Sequence, residues 1–395
     1  MNPTARRPRS REDGLVQVPE HHADAASRGW LTRHWSHLPT GLALSTLLIV
    51  FWYFNQRYLA PGRGAVTGFL ENPWPTFGLI VYGAFLAAYL AGEFSVKVPL
   101  TIEPLIVAVA GGGVAGVGSV IAGMSVNSTV LFNLAGVFTL PAFMITQGWI
   151  YLALMMAGGA LASRLLVVTT LKMGRRKREI TLPAVLTSRR SRRFALVALT
   201  ALFAVALGVA VLLPGPAANR AGLVLAMCLM VLFGFVVERG TVCMSSMLKE
   251  LFISHSAYVW RSVLFTIMCL ALFYRLGLQI GLYPPILVDA TVTVPVPLAA
   301  GAILMGVGFV FADGCFIGSL WKAGQGNVVN SAGILGLVAG IGAARLVDSV
   351  FLGPPIGGAI PNHLGEVISP WLLVAGLWAA GAFLLSRFRP RRYRY

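Results

Sequence analysis

Apolar residues in this chain come in long uninterrupted blocks, near 39–56, 76–92, 101–122, 126–146, 149–171, 194–213, 221–238, 259–276, 297–312, 327–347 and 370–386. Crossing a ~30 Å hydrocarbon core takes about 20 apolar residues in a helix. Each block therefore predicts a membrane helix, or a short or re-entrant piece of one. Two polar stretches interrupt the pattern: "VERGTVCMSSMLKE" (Val237–Glu250) and "FADGCFIGSLWKAGQGN" (Phe311–Asn327). Non-helical backbone at membrane depth is tolerated only where protein or a watery cavity satisfies its polar groups. Both interruptions are thus read as breaks inside the protein.

Composition agrees, with 57% hydrophobic and 11% charged residues, too few polar groups to cover a water-soluble surface. The expected fold class is an all-α polytopic membrane protein. The net charge of +17 would suit a nucleic-acid surface, but 20 of the 31 Lys and Arg lie in three patches, residues 1–37, 172–193 and 387–395, each flanking apolar blocks. That is the positive-inside pattern, and it puts the N-tail, the middle loop and the C-tail in the cytoplasm. Nucleic-acid binding is set aside. About 37 polar and charged residues precede the first apolar run, longer than the n-region of a signal peptide. The expected organisation is a disordered tail (1–37), a first transmembrane half (38–171), a basic cytoplasmic loop (172–193), a second transmembrane half (194–386) and a basic tail (387–395). Each half begins and ends in the cytoplasm and needs an even number of crossings. The first supplies an odd number of blocks, and its glycine run "AGGGVAGVG" marks 101–122, or its successor, as the short or re-entrant piece.

Transporters are often two copies of one unit with the binding site between them. "GVGSVIAGMSVNS" (Gly116–Ser128) and "GVGFVFADGCFIG" (Gly306–Gly318) align without a gap at an offset of 190, which sets Ser125 opposite Cys315. A weaker match lays Leu90–Val96 over Glu238–Met244 and Ser95 over Cys243. Two pseudo-symmetric halves with short re-entrant half-helices are expected.

Within the first interruption a helix ends at Glu238 and Arg239, and Gly240 supplies a flexible break. Thr241 would cap a short helix with Cys243 in its first turn. Within the second, Asp313 and Gly314 end a helix and Cys315 follows. A half-helix N-terminus inside the membrane offers free N–H groups and a positive partial charge to an anion, and a thiol there contacts sulfur. Gly314 and Gly318 leave the backbone on both sides of Cys315 uncovered. Cys228 and Cys269, inside uniformly apolar helices, read as small fillers. Glu238 with Arg239, and Asp313 with Lys322, are candidate ion pairs; Glu93 and Lys97 read as cytoplasmic loop residues. Asn127 and Asn133 are oxyanion donors or interhelical amide glue. With no CxxC and no His cluster, no metal site, disulfide framework or cofactor is expected.

"GFVVERGTVCMSSMLKELF" and "GVGFVFADGCFIGSLWKAGQGN" resemble the two signature stretches of the YeeE/YedE sulfur-transport family. The second matches at Gly308, Gly314, Cys315, Gly318, Gly324, Gly326 and Asn327, and the first half is similar in "AGEFSVKVP" and in the glycines before Met124 and Ser125. The likeness runs over about residues 75–386. It implies an inner-membrane transporter, with thiosulfate the family's characterised substrate, in which cysteines on inward-pointing short helices pass the anion along. The family carries a further Cys near "GMSVNST", where this chain has Met124 and Ser125.

The expectation is a transporter, not an enzyme, that takes up a small sulfur-containing anion through Cys315, Cys243, Ser125, Gly314, Gly318 and Asn327. Its surroundings are the lipid bilayer, and a cytoplasmic sulfur-carrier protein is a candidate partner. The alternatives are a membrane thiol-redox or sulfurtransferase protein and a channel for another small solute.

Overall fold

The computed structural model describes residues 33–54, 73–122, 142, 145–173, 179–181, 189–212, 217–254, 257–282, 291–346, 355–361 and 369–387. Their helices are α1 (His37–Phe54), α2 (Pro73–Leu90), α3 (Glu103–Ile121), α4 (Thr146–Met173), α5 (Arg189–Leu212), α6 (Ala217–Arg239), α7 (Met244–Lys249, continued by a π turn to Ser254), α8 (Tyr258–Gln279), α9 (Val296–Phe311), α10 (Phe316–Gly324), α11 (Val328–Leu346) and α12 (Pro370–Arg387). Each falls on an apolar block or on a predicted break, because a chain with this little polar surface must close its backbone hydrogen bonds within each segment. Among the described residues, six helical stretches are long and apolar enough to cross a bilayer. Two small antiparallel ribbons tie loops together: β1 (Lys97–Pro99) with β2 (Glu179–Thr181), and β3 (Thr291–Pro295) with β4 (Pro355–Pro361). The protein is an all-α, multi-pass membrane protein.

The glycine run does not make 101–122 a short or re-entrant piece. Helix α3 is continuous over 19 residues, and its glycines serve as a seam. A Cβ on Gly112 or Gly116 would collide with the carbonyl oxygens of Gly333 or Leu337 on α11, and one on Gly111 with the backbone of Ala312 at the end of α9. In lipid no hydrophobic drive holds helices together, so close backbone approach over small residues does. The other candidate for the short piece, 126–146, lies almost wholly outside the described residues.

Packing interleaves the parts on either side of the basic loop. Helix α1 packs on α8 and α2 on α6, while α3 packs on α11 and on α9, and α4 on α9. The same glycine joint appears in both groups. Gly83 on α2 meets the carbonyl of Val231 while Gly234 on α6 meets that of Ile80; Gly158 on α4 meets the carbonyl of Ile303 while Gly306 on α9 meets that of Met155. Gly234 and Gly306 each stand nine residues before a cysteine, Cys243 and Cys315. The structure thus repeats one plan at an offset of 72: long helix, break, cysteine, short helix, long helix. The short helices are exchanged. Helix α7, which follows α6, packs on α4 and α9; α10, which follows α9, packs on α2 and α6.

Candidate functional site

The first break is built by a left-handed turn at Thr241 (φ 50°). The N–H of Val242 donates to the carbonyl of Val237 at 3.0 Å and that of Thr241 to Glu238 at 3.1 Å, the hydrogen-bond pair of a Schellman ending. Thr241 therefore closes α6 and does not cap the next helix, since an N-cap needs extended backbone. Cys243 takes that position instead (φ −152°, ψ 121°). Nor is Gly240 a flexible break: its N–H continues α6 by bonding Val236 at 2.9 Å, and a Cβ there would collide with Thr40.

The second break repeats the geometry. Asp313 is left-handed (φ 58°), and two residues later Cys315 is the N-cap of α10 (φ −79°, ψ −178°). Its sulfur accepts the Gly318 N–H at 3.2 Å and, across the exchange of short helices, the Met244 N–H at 3.2 Å. One sulfur atom thus closes the first turns of two helices. The thiol of Cys315 points at the sulfur of Cys243, 3.9 Å away, and both cysteines are buried. Gly318 makes the meeting possible. A Cβ on it would overlap the Cys243 sulfur and lie 3.2 Å from that of Cys315. The space beside Gly318 is therefore filled by a thiol, and that beside Gly314 by Ser319 and Asn330, where the sequence suggested open backbone. The Trp321 indole N–H donates to the Val242 carbonyl at 2.9 Å and ties α10 to the first break.

Both candidate ion pairs are present, inside larger networks. Arg239 and Glu238 are fully buried and 2.5 Å apart. Arg239 also reaches Glu93 at 2.8 Å, and Gln325 donates to Glu238 at 2.8 Å. Glu93, read from sequence as a loop residue, does sit in a loop, but its carboxylate faces inward; nothing in the order of residues signals a partner 146 positions away. At the second break Lys322 Nζ donates to the Asp313 carbonyl at 2.6 Å and lies 3.8 Å from its carboxylate. Lys249, at the end of α7, pairs with the same carboxylate.

Asn327 stands at the far end of α10. Its Oδ1 accepts the Val329 and Asn330 N–H groups at 3.0 and 3.4 Å, which makes it the cap of α11. Beside it, Ser95 and Lys97 donate their N–H groups to the carbonyls of Gln325 and Gly326, so the "AGEFSVKVP" and "GQGN" stretches dock on one another. Gly326 (φ 96°) has room for no side chain there, where a Cβ would collide with the Ser95 carbonyl. Cys269 is buried, whereas Cys228 lies on the exposed side of α6. Ser125, Asn127 and Asn133 lie outside the described residues, and with them the part of the repeat at offset 190 that sets Ser125 opposite Cys315.

Comparison with known proteins places this arrangement. Residues 239–395 match the Sulphur transport family. A "Probable transporter YedE" of Salmonella typhimurium is 28% identical over 62% of this chain and 58% of its own length. The Escherichia coli protein of the same name is 25% identical over 76% of this chain and 78% of its own length. The "Thiosulfate transporter TsuA" of Spirochaeta thermophila is 28% identical over 40% of this chain and 53% of its own length. The chain thus spans under two thirds of two of these relatives. The sulphur transport match begins at Arg239 and takes in both cysteine breaks and the glycines that seat them, and over that stretch the chain is similar to the sulphur transport family.

Proposed function

We propose that this protein takes up a small sulfur-containing anion of the thiosulfate kind across the inner membrane into the cytoplasm. The observation that carries the reading is the place of the Cys315 sulfur, which accepts N–H bonds from the starts of two short helices at 3.2 Å and lies 3.9 Å from the Cys243 sulfur. Aligned peptide dipoles make such starts electropositive. A pair of thiols there offers S–H donors and polarisable surface to a terminal sulfur atom, while the N–H groups answer to its negative charge. The positions expected to meet the anion are Cys315 and Cys243, with Ser125 a further candidate, whereas the spaces beside Gly314 and Gly318 are filled by neighbours and Asn327 caps α11. The name of the Spirochaeta relative supports thiosulfate as the substrate. The basic patches at 1–37, 172–193 and 387–395 support cytoplasmic termini, with the membrane body formed jointly by 38–171 and 194–386.

Uptake of radiolabelled thiosulfate by cells lacking their own transporters tests the proposal. Cys315→Ala is expected to abolish uptake at matched membrane expression, since it removes the sulfur at the centre of the site; it costs packing on the order of 1 kcal/mol and unties the Met244 and Gly318 N–H groups, so melting temperature is measured beside uptake. Cys315→Ser should not restore it, Cys243→Ala should impair it, and Cys269→Ala should be silent. Wild-type uptake in both Cys315→Ala and Cys243→Ala would overturn the proposal.

One observation favours the thiol-chemistry alternative: with the sulfurs 3.9 Å apart, one thiolate would take the terminal sulfur of thiosulfate as a persulfide while sulfite leaves, and the second thiol would displace that sulfur as hydrosulfide as a disulfide of about 2.05 Å forms. Release of sulfite from thiosulfate by the purified protein, with no uptake in cells, would move the assignment there.

A further inference from the structure

The short helices end as they begin, at a shared point. Lys249 is the last residue of α7 and Lys322 stands in the last turn of α10. Both bring their ammonium groups to Asp313. Lys249 stands five positions after Met244, whose N–H holds the Cys315 sulfur, so the lysine cluster lies roughly 7–8 Å along the helix from the thiol pair.

The backbone of Asp313 is fixed without help from its carboxylate. Its carbonyl accepts Lys322 Nζ at 2.6 Å and Asn330 Nδ2 at 3.2 Å. The carboxylate is the most open part of the cluster, with 35% side-chain exposure against 19% for Lys249 and 16% for Lys322. If it swings aside, Lys322 keeps its bond to the Asp313 carbonyl. Two ammonium groups gathered at one spot, with a part-exposed carboxylate between them, suit an incoming oxyanion, for which lysine serves as a compact point charge. All three residues lie within stretches long and apolar enough to cross a membrane, where ionisable groups point to a functional site. The matching position of the first break is Thr241, which carries no charge, so the fold itself does not call for a carboxylate here.

We propose that Lys249 and Lys322 form an oxyanion station for a sulfate-shaped dianion, one step away from the cysteines, and that Asp313 is its built-in counter-anion, occupying the station until a ligand displaces it. Its part in uptake rests on the transport reading above; its existence as a binding site does not.

The test is calorimetric titration of the full chain in detergent with sodium sulfate and with sodium thiosulfate, at constant ionic strength set by chloride. Wild type should bind sulfate, which offers no terminal sulfur to the thiols, and Cys269→Ala should bind it alike. Lys249→Gln and Lys322→Gln should each weaken sulfate about tenfold, the scale of one charged hydrogen bond, with Lys249→Arg keeping part of the affinity. Asp313→Asn should tighten sulfate several-fold, a gain that a merely structural carboxylate would not give; thermal melts of each variant confirm folding, and Lys249→Arg decides the matter if Asp313→Asn fails to fold. No sulfate binding by wild type, unchanged binding in both lysine variants, or weaker binding in a folded Asp313→Asn protein would each overturn the station. Sulfate binding that follows this pattern in a protein without thiosulfate uptake would remove the transport reading and leave the station standing.

Discussion

The two breaks share a backbone and differ in what they do with it. Each has a left-handed residue two positions before a cysteine, and each cysteine caps a short helix. At the first, the charges are sealed: Glu238 and Arg239 are fully buried and braced by Glu93 and Gln325. At the second, a part-exposed Asp313 faces two lysines. The thiols divide in the same way, since Cys315 accepts two N–H groups while the Cys243 side chain makes no cap bond. One backbone plan thus carries a sealed brace at the first break and a part-exposed charge cluster at the second.

The largest expected effect separates the two sets of charges. Replacing Arg239 by Met strands Glu238 in a fully buried site, and losing one partner of a buried pair costs about 3–5 kcal/mol. The variant should fall sharply in membrane yield and melting temperature. Asp313→Asn, at a part-exposed pair, should cost less than about 1 kcal/mol. Equal melting losses in the two variants would erase the distinction between brace and ligand site.

A second test asks whether Gly318 exists to seat the opposite thiol. The added methyl of Gly318→Ala would overlap the Cys243 sulfur, and overpacking of this kind costs about 1–3 kcal/mol. In a Cys243→Ala background that sulfur is gone, so most of the loss should return, a coupling that a double-mutant cycle reads directly. A Gly318→Ala penalty of the same size in both backgrounds would show that the glycine answers to some other neighbour.

These contacts also mark the limit of what the sequence discloses. The helices were legible because lipid imposes one rule on every segment: α8, expected near 259–276, runs Tyr258–Gln279, and α11, expected near 327–347, runs Val328–Leu346. The cysteine breaks were legible for the same reason, as polar residues with nowhere else to go. The exchange of short helices was not. Arg239 with Glu93, Lys249 with Asp313, and Gly318 with Cys243 are contacts between segments whose spacing along the chain carries no period. The glycine run does not make 101–122 re-entrant, because a glycine that breaks a helix and one that lets two helices touch look alike in one dimension. The repeat at offset 72 stayed hidden since it keeps Gly234 with Gly306 and Cys243 with Cys315 while nearly everything between them differs. Its signal lies in the glycine joints, visible only once their partners are known.

The smallest expected effect compares the two left-handed residues. A β-branched side chain is poorly suited to φ near 50°, and the left-handed conformation costs an L-residue roughly 1–2 kcal/mol. Thr241→Gly removes that strain and gives back about 0.4–1 kcal/mol through the looser unfolded chain, so it should raise the melting temperature slightly. Asp313→Gly brings the same backbone relief at φ 58° but gives up the lysine contacts, so its net change should be close to zero, within about 0.5 kcal/mol. Its signature belongs instead to anion binding, which should tighten as in Asp313→Asn, whereas Thr241→Gly leaves binding unchanged. Stabilisation by both glycines to the same degree, with sulfate affinity untouched in each, would mean that Asp313 serves only the turn, as Thr241 does, and that the two breaks differ in sequence without differing in task.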